Sequence, residues 1–217
     1  IERMKTRQIS DISDSVFVDC SLSYDGRNTT ATTMTLSGGT TWAYDETLTL
    51  TASSAFFSSS DVGNEIQLTG SDGTVIRFRI YGYTSTTIVT GRPHATVPVV
   101  MRSVAITTWT KAVDDLTNLW HLEGKAISVV GDGFVVASPN NSAYATLTVT
   151  NGAVTLPRPY GVIHAGLPYI SDLQTLSIDT AQGETVMDKK KLIGKVVLSV
   201  QQTRGLWVGS KPPSDDA

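Results

Sequence analysis

The chain has 217 residues, 40% of them hydrophobic and 17% charged, with a formal net charge of −3, which leaves room for one large or two small domains. So small a charge, without a basic stripe, argues against a polyanion held along the surface. Cys20 is the only cysteine, which excludes an intrachain disulfide, and no apolar run is long enough for a membrane span or a secretory signal.

Short runs of Thr, Val, Ile and Tyr separated by Gly and Asp turns predict an all-β protein. The chain opens on Ile1 and a charged run and reads as a fragment of a longer protein, with Ile1–Thr6 ending a strand of a missing neighbour. Val16–Val18 is a predicted short strand, and Ser21–Gly26 ends in Asp25-Gly26, a strong turn signal. From Arg27 the composition shifts to a Ser/Thr-rich stretch with small apolar sets at Met34 and Leu36, Leu48 and Leu50, and Ala55–Phe57. Glu65–Leu68 and Thr74–Tyr83 flank a Gly70–Gly73 hairpin loop. The second of these alternates: Val75, Arg77, Arg79, Tyr81 and Tyr83 share one face, and Ile76, Phe78 and Ile80 the other. Ile88-Val89, a Pro-bounded loop over Arg92–Pro98, and a strand over Val104–Lys111 anchored by Trp109 complete the spacing of a small barrel.

Leu116, Leu119 and Trp120 then stand at helical spacing for a turn or two, with Trp120 the expected anchor of a second core. Ala126–Val130 and Phe134–Val136 flank the Gly131-Asp132-Gly133 turn of a β-hairpin. A second hairpin is predicted around Gly152, between Ala145–Val149 and Val154–Leu156. Isolated hairpins are marginal in water, so these need a sheet partner, and the half-buried strand read at Leu192–Gln202 is the expected one. The expected division is a framework β domain over 1–27 and 114–217, a sheet or sandwich, with a small β-barrel inserted over 28–113.

Few residues invite chemistry. His94, His121 and His164 have no second ligand at metal spacing, and His121 reads as a hydrogen-bonded structural residue. Cys20 lacks a basic neighbour and reads as a small buried apolar group. Asp11, Asp14, Asp19 and Asp25 do not match a calcium loop and read as turn caps, as do Asp72 and Asp132. Lys189, Lys190 and Lys191 form a short charge run with possible phosphate contact, and the sequons at Asn28 and Asn140 lack a secretory context. No catalytic set, metal site or cofactor site assembles. Trp42, Tyr81, Tyr83 and Trp109 are the candidate interaction surface, since aromatic faces stack on sugars.

The strings ERMKTR at Glu2–Arg7, FVDCSLSYDGR at Phe17–Arg27, LWHLEGKAISVVGDG at Leu119–Gly133, TNGAVTLP at Thr150–Pro157, HAGLPYISDLQTL at His164–Leu176 and KKKLIGKVVLSVQQTRGLWVG at Lys189–Gly209 resemble one family. They resemble the C-terminal part of the tail nozzle, or tail tubular protein B, of short-tailed bacteriophages. The stretch between resembles inserts in those proteins that are likened to the first catalytic cysteine half-domain of ubiquitin-activating enzymes, a small β-barrel. The resemblance implies a non-enzymatic virion protein, made in the bacterial host cytoplasm and placed in the phage tail. It implies a homo-oligomeric ring, typically of six subunits, that meets portal, adaptor and tail fibre proteins and passes double-stranded DNA. Most ring contacts would then lie in the parent's missing part, leaving this fragment monomeric. The competing expectation is a host-surface glycan-binding module. A tail-spike glycan hydrolase needs converging carboxylates and β-helix repeats, for which the chain has no signature.

Overall fold

The computed structural model describes residues 11–16, 18–169, 195–200 and 208–209. The chain divides into two units, Ile1–Pro168 and Tyr169–Ala217. The first is all-β. Its strands are β1 (Asp19–Asp25), β2 (Met34–Ser37), β3 (Leu48–Ala52), β4 (Glu65–Thr69), β5 (Val75–Ser85), β6 (Ile88–Pro93), β7 (Ala105–Ile106), β8 (Thr108–Leu116), β9 (Ala126–Gly131), β10 (Phe134–Ala137), β11 (Leu147–Thr148), β12 (Val154–Tyr160) and β13 (Val162–Leu167). Four 3-10 turns, at Ile12–Asp14, Ser59–Asp61, Val99–Met101 and Trp120–Leu122, are the only helical elements among the described residues.

The strands form two antiparallel sheets. In the larger, the order is β12-β8-β4-β5-β6-β3-β2-β7. Only Thr107 separates β7 from β8, so the path returns to one continuous stretch and the sheet closes into a small barrel, leaving β12 as an appended strand. The alternation that builds it is plain in β5. Ile76, Phe78 and Ile80 are buried, while Val75 and Tyr81 are exposed and Arg77 and Arg79 half-buried between them. Met34, Leu36, Leu48, Leu50, Ile66 and Leu68 fill the same interior from β2, β3 and β4. Trp109 closes that core: its ring meets Phe56 edge-on with centroids 4.7 Å apart, and its Nε1 donates to the Thr32 carbonyl at 2.9 Å.

The smaller sheet runs β1-β13-β9-β10, with β11 added on β9. Residues near the two ends of this unit therefore pair directly, from Asp25 opposite Val162 to Asp19 opposite Leu167. It covers a second core that includes Leu119, Leu122, Ile127, Val129, Ile163 and Ala165. β8 joins the two cores. Its first half pairs β4 inside the barrel, and its last residues, Val113 to Leu116, pair β12.

Several sequence expectations are corrected. Ser21–Asp25 belongs to a strand that the sequence reading lacks, β1, which ends at the Asp25-Gly26 signal; Leu22 and Tyr24 alternate with short polar residues and pack against the second core. Residues 16 and 18 precede the strand, and Phe17 lies outside the described residues. The turn at Gly152 forms, closed by paired Thr150 and Ala153 backbone bonds, but its arms diverge: β11 joins β9 and β12 joins β8. The expected loop over Arg92–Pro98 begins later, since β6 continues through Pro93. Leu116 ends a strand rather than opening a helix, and Trp120 is 66% exposed, its ring lying against Gly152. The true anchors are its neighbours Leu119 and Leu122, which are fully buried.

In the second unit, residues 195–200 form no strand, and Val196, Val197, Leu198 and Val200 are exposed. The partner strand expected at Leu192–Gln202 is therefore not formed over its described part, and the rest of that run lies outside the described residues.

Candidate functional site: the cleft and outer face of the barrel

The outer face of β4, β5 and β8 carries the polar residues that alternation turns away from the barrel core. Register sets Gln67 beside both Arg77 and Thr110, and Glu65 beside both Arg79 and Ala112. Where this face meets the smaller sheet, a shallow cleft of about 330 Å³ opens, lined by Gln67, Arg77 and Thr110 on one side and by Asp132 and Val162 on the other. Gly161 approaches the barrel closely: a Cβ there would lie 2.5 Å from Thr110 Cγ2, so a side chain at this turn would require Thr110 to shift.

Carboxylates in and beside the cleft are engaged. Asp132 Oδ1 accepts from the Gly161 and Val162 amides at 3.0 and 2.9 Å, which ties the β9–β10 turn to the β12–β13 turn. Asp11 accepts from the Ser13 amide, and that bond holds its carboxyl below the usual carboxylate range, with Arg27 adding to the effect. Asp25 takes the Arg27 Nε and Nη2 donors at 2.9 and 2.6 Å, a bidentate pairing that lowers its own pKa, while Asp14 takes Nη2 at 2.7 Å. Thus Asp11, Asp14 and Asp25 converge on a guanidinium rather than on a vacant metal position. Asp19 instead caps the Cys20 amide and Asp72 the Thr74 amide.

Two buried acids were not singled out in the sequence. Glu65 Oε1 lies 3.6 Å from Arg79 Nη1 and 3.7 Å from His94 Nε2. Asp61 accepts from Lys111 Nζ at 2.5 Å, and that ammonium also lies 5.5 Å above the Phe56 ring. The only cue was a carboxylate beside an apolar strand, which does not distinguish a buried acid from a surface one.

The aromatic candidates separate. Tyr81 is 56% exposed on the outer face of β5, with Arg92 over its ring at 5.4 Å, whereas a bulge at Tyr81 sets Tyr83, 38% exposed near the strand end, opposite the buried Val89 rather than on that outer face. Trp42 is half-buried at the barrel end, under Arg102 at 5.8 Å. Trp109 is buried in the barrel core, so it does not belong to any surface. Lys189, Lys190 and Lys191 lie outside the described residues.

The histidines are held one by one. His164 is buried, and because the Ser13 carbonyl can only accept, Nε2 carries the proton toward it at 2.8 Å; Nδ1 faces Ser23 Oγ at 2.7 Å. His121 Nε2 donates to the Cys20 carbonyl at 2.9 Å. Cys20 itself is exposed, with φ of 48°, rather than buried. Among the described residues, no three His, Cys, Asp or Glu side chains are grouped to hold a metal ion. The Asn28 sequon nitrogen is consumed, donating to the Thr30, Thr32 and Thr107 carbonyls. No helix among the described residues is long and apolar enough to cross a membrane.

No protein-family model matches the chain, and no curated protein matches it.

Proposed function

We propose that the chain is a structural domain of the tail nozzle of a short-tailed bacteriophage, acting in assembly and in the passage of double-stranded DNA without catalysis. The observation that carries this reading is the set of family-like strings, which fall in the segments flanking the barrel, at both ends of the sequence. The organisation suits it. β1 and β13 pair the chain back on itself around an inserted barrel, each with its own packed core, and extended antiparallel sheets offer neighbours wide, shear-resistant faces. In this role the parent protein forms a ring of six subunits in the virion tail and meets portal, adaptor and tail fibre proteins. Antibodies raised against this chain and imaged on purified phage particles by negative stain test the placement. Label confined to the tail supports it; unlabelled particles alongside unassembled antigen in the lysate overturn it.

A second reading rests on Tyr81, exposed on the outer face of β5 beneath Arg92. An aromatic–arginine face of this kind suits contact with host-surface glycans. A glycan array probed with the chain and with Tyr81→Ala separates the two readings: binding that the substitution removes favours host contact, and silence from the folded chain counts against it.

A further inference from the structure

We infer that the cleft between the barrel and the smaller sheet binds an oxyanion, the carboxylate or phosphate group of a small ligand, on Arg77 and the Gln67 side-chain amide. Two separate observations meet there. The Gln67 Nε2 is buried and has no hydrogen-bond partner among the described residues. Arg77, its register partner on the adjacent strand, lines the same cleft, and its guanidinium has no hydrogen-bond or ion-pair partner among the described residues.

A buried donor left without an acceptor is destabilising, and native structures leave few of them. Of the buried side-chain atoms without a partner among the described residues, Gln67 Nε2 is the one that lines this cleft; Glu65 Oε2 and Ser15 Oγ lie outside its lining. Asp11 and Asp132 each accept backbone amides through Oδ1, and Arg27 is taken by Asp14 and Asp25. Arg79 is not available either, because it shares Glu65 with His94. What remains is a guanidinium and an amide N–H pair on neighbouring strands, both needing an acceptor.

A planar or tetrahedral group with several oxygens fits that demand. Carboxylate and phosphate accept two N–H bonds from one guanidinium, and a third acceptor position remains for the amide. The cleft, about 330 Å³, lies at the small end of ligand sites, so it suits a small acid rather than a polymer. The site is independent of the tail reading: label on the phage tail and an empty cleft, or the reverse, are separately readable results.

Side-chain NMR of the arginine Nε–Hε and glutamine amide signals tests the inference, with inorganic phosphate and acetate as probes and chloride at matched ionic strength as control. The expected result is saturable shifts at Arg77 and Gln67 with either oxyanion, while Arg92, paired with Asp45, stays close to its chloride position. The stronger of the two probes identifies the ligand's acidic group. Arg77→Gln and Gln67→Leu should each weaken binding about tenfold or more. Arg77→Lys, which keeps the charge and loses the fork, should weaken it as well and guards against a folding defect in the neutral variant. Shifts that do not saturate, that chloride reproduces, or that move Arg92 as far as Arg77 overturn the site.

Discussion

Leu119 and Trp120 are neighbours in sequence with opposite fates, and their alanine variants give a sharp test of the packing. Leu119 is fully buried in the core that holds Leu122, Ile127 and Ile163. Leu119→Ala should therefore cost about 3–4 kcal/mol, within the range for buried Leu→Ala changes. Trp120 is 66% exposed. The buried third of a side chain that can cover ~150–250 Å² is ~50–80 Å², or ~1–2 kcal/mol at ~25 cal/mol per Å². Urea unfolding followed by far-ultraviolet circular dichroism measures both losses without depending on the tryptophan signal itself. A larger loss for Trp120→Ala than for Leu119→Ala would refute this account of the second core.

Three further outcomes follow from particular contacts. Gly91→Ala should destabilise the barrel by about 2 kcal/mol or more, because the new methyl overlaps the Arg79 carbonyl and meets the Phe78 ring at 2.7 Å; hydrogen exchange should show the loss at β5 and β6 first. Glu46 accepts from the Thr40 amide, from the Thr41 amide and hydroxyl, and from the Ala43 amide, bonds that bring its pKa down to about 2. A depressed carboxylate stabilises fully above its unfolded value of ~4.3, and that contribution fades as pH falls toward about 2, so a carboxyl NMR titration should find Glu46 still ionised near pH 3. Tyr24 donates to the Lys111 carbonyl at 3.0 Å, and burial, helped by Asp61 and Asp25, pushes its phenol up to about 12. Its stabilising effect is intact below pH ~10 and is lost as pH rises toward about 12, so Tyr24→Phe should flatten the alkaline limb of a stability–pH curve.

How much of this was legible depends on whether the signal was local. β5 was readable because Ile76, Phe78 and Ile80 alternate with Arg77 and Arg79, and one inward face is all a barrel strand requires. The β9–β10 hairpin was readable from Gly131-Asp132-Gly133, with Asp132 and Gly133 at positive φ. Only the end of β1, at Asp25-Gly26, was legible, because the short serines around Leu22 and Tyr24 mask the alternation of the strand itself. The arms around Gly152 were paired with each other because local turn chemistry carries no information about which sheet each arm enters. Trp120 has the size of an anchor, but the 3-10 turn at Trp120–Leu122 leaves it exposed and buries Leu119 and Leu122 instead. The cleft was not legible. Gln67, Arg77, Thr110 and Asp132 come from four strands or turns, and only register and sheet closure bring them together.

The central claim, that this chain belongs to a ring-forming nozzle, is tested most directly by mass. Light scattering on residues 1–217 and on the longer nozzle protein that this account expects to carry them, with negative-stain imaging of the latter, gives the answer in one comparison. The account predicts a ring for the longer protein and a monomer for residues 1–217. A longer protein that stays monomeric even with its portal and adaptor partners present would contradict it and leave host-surface contact through Tyr81 as the better reading.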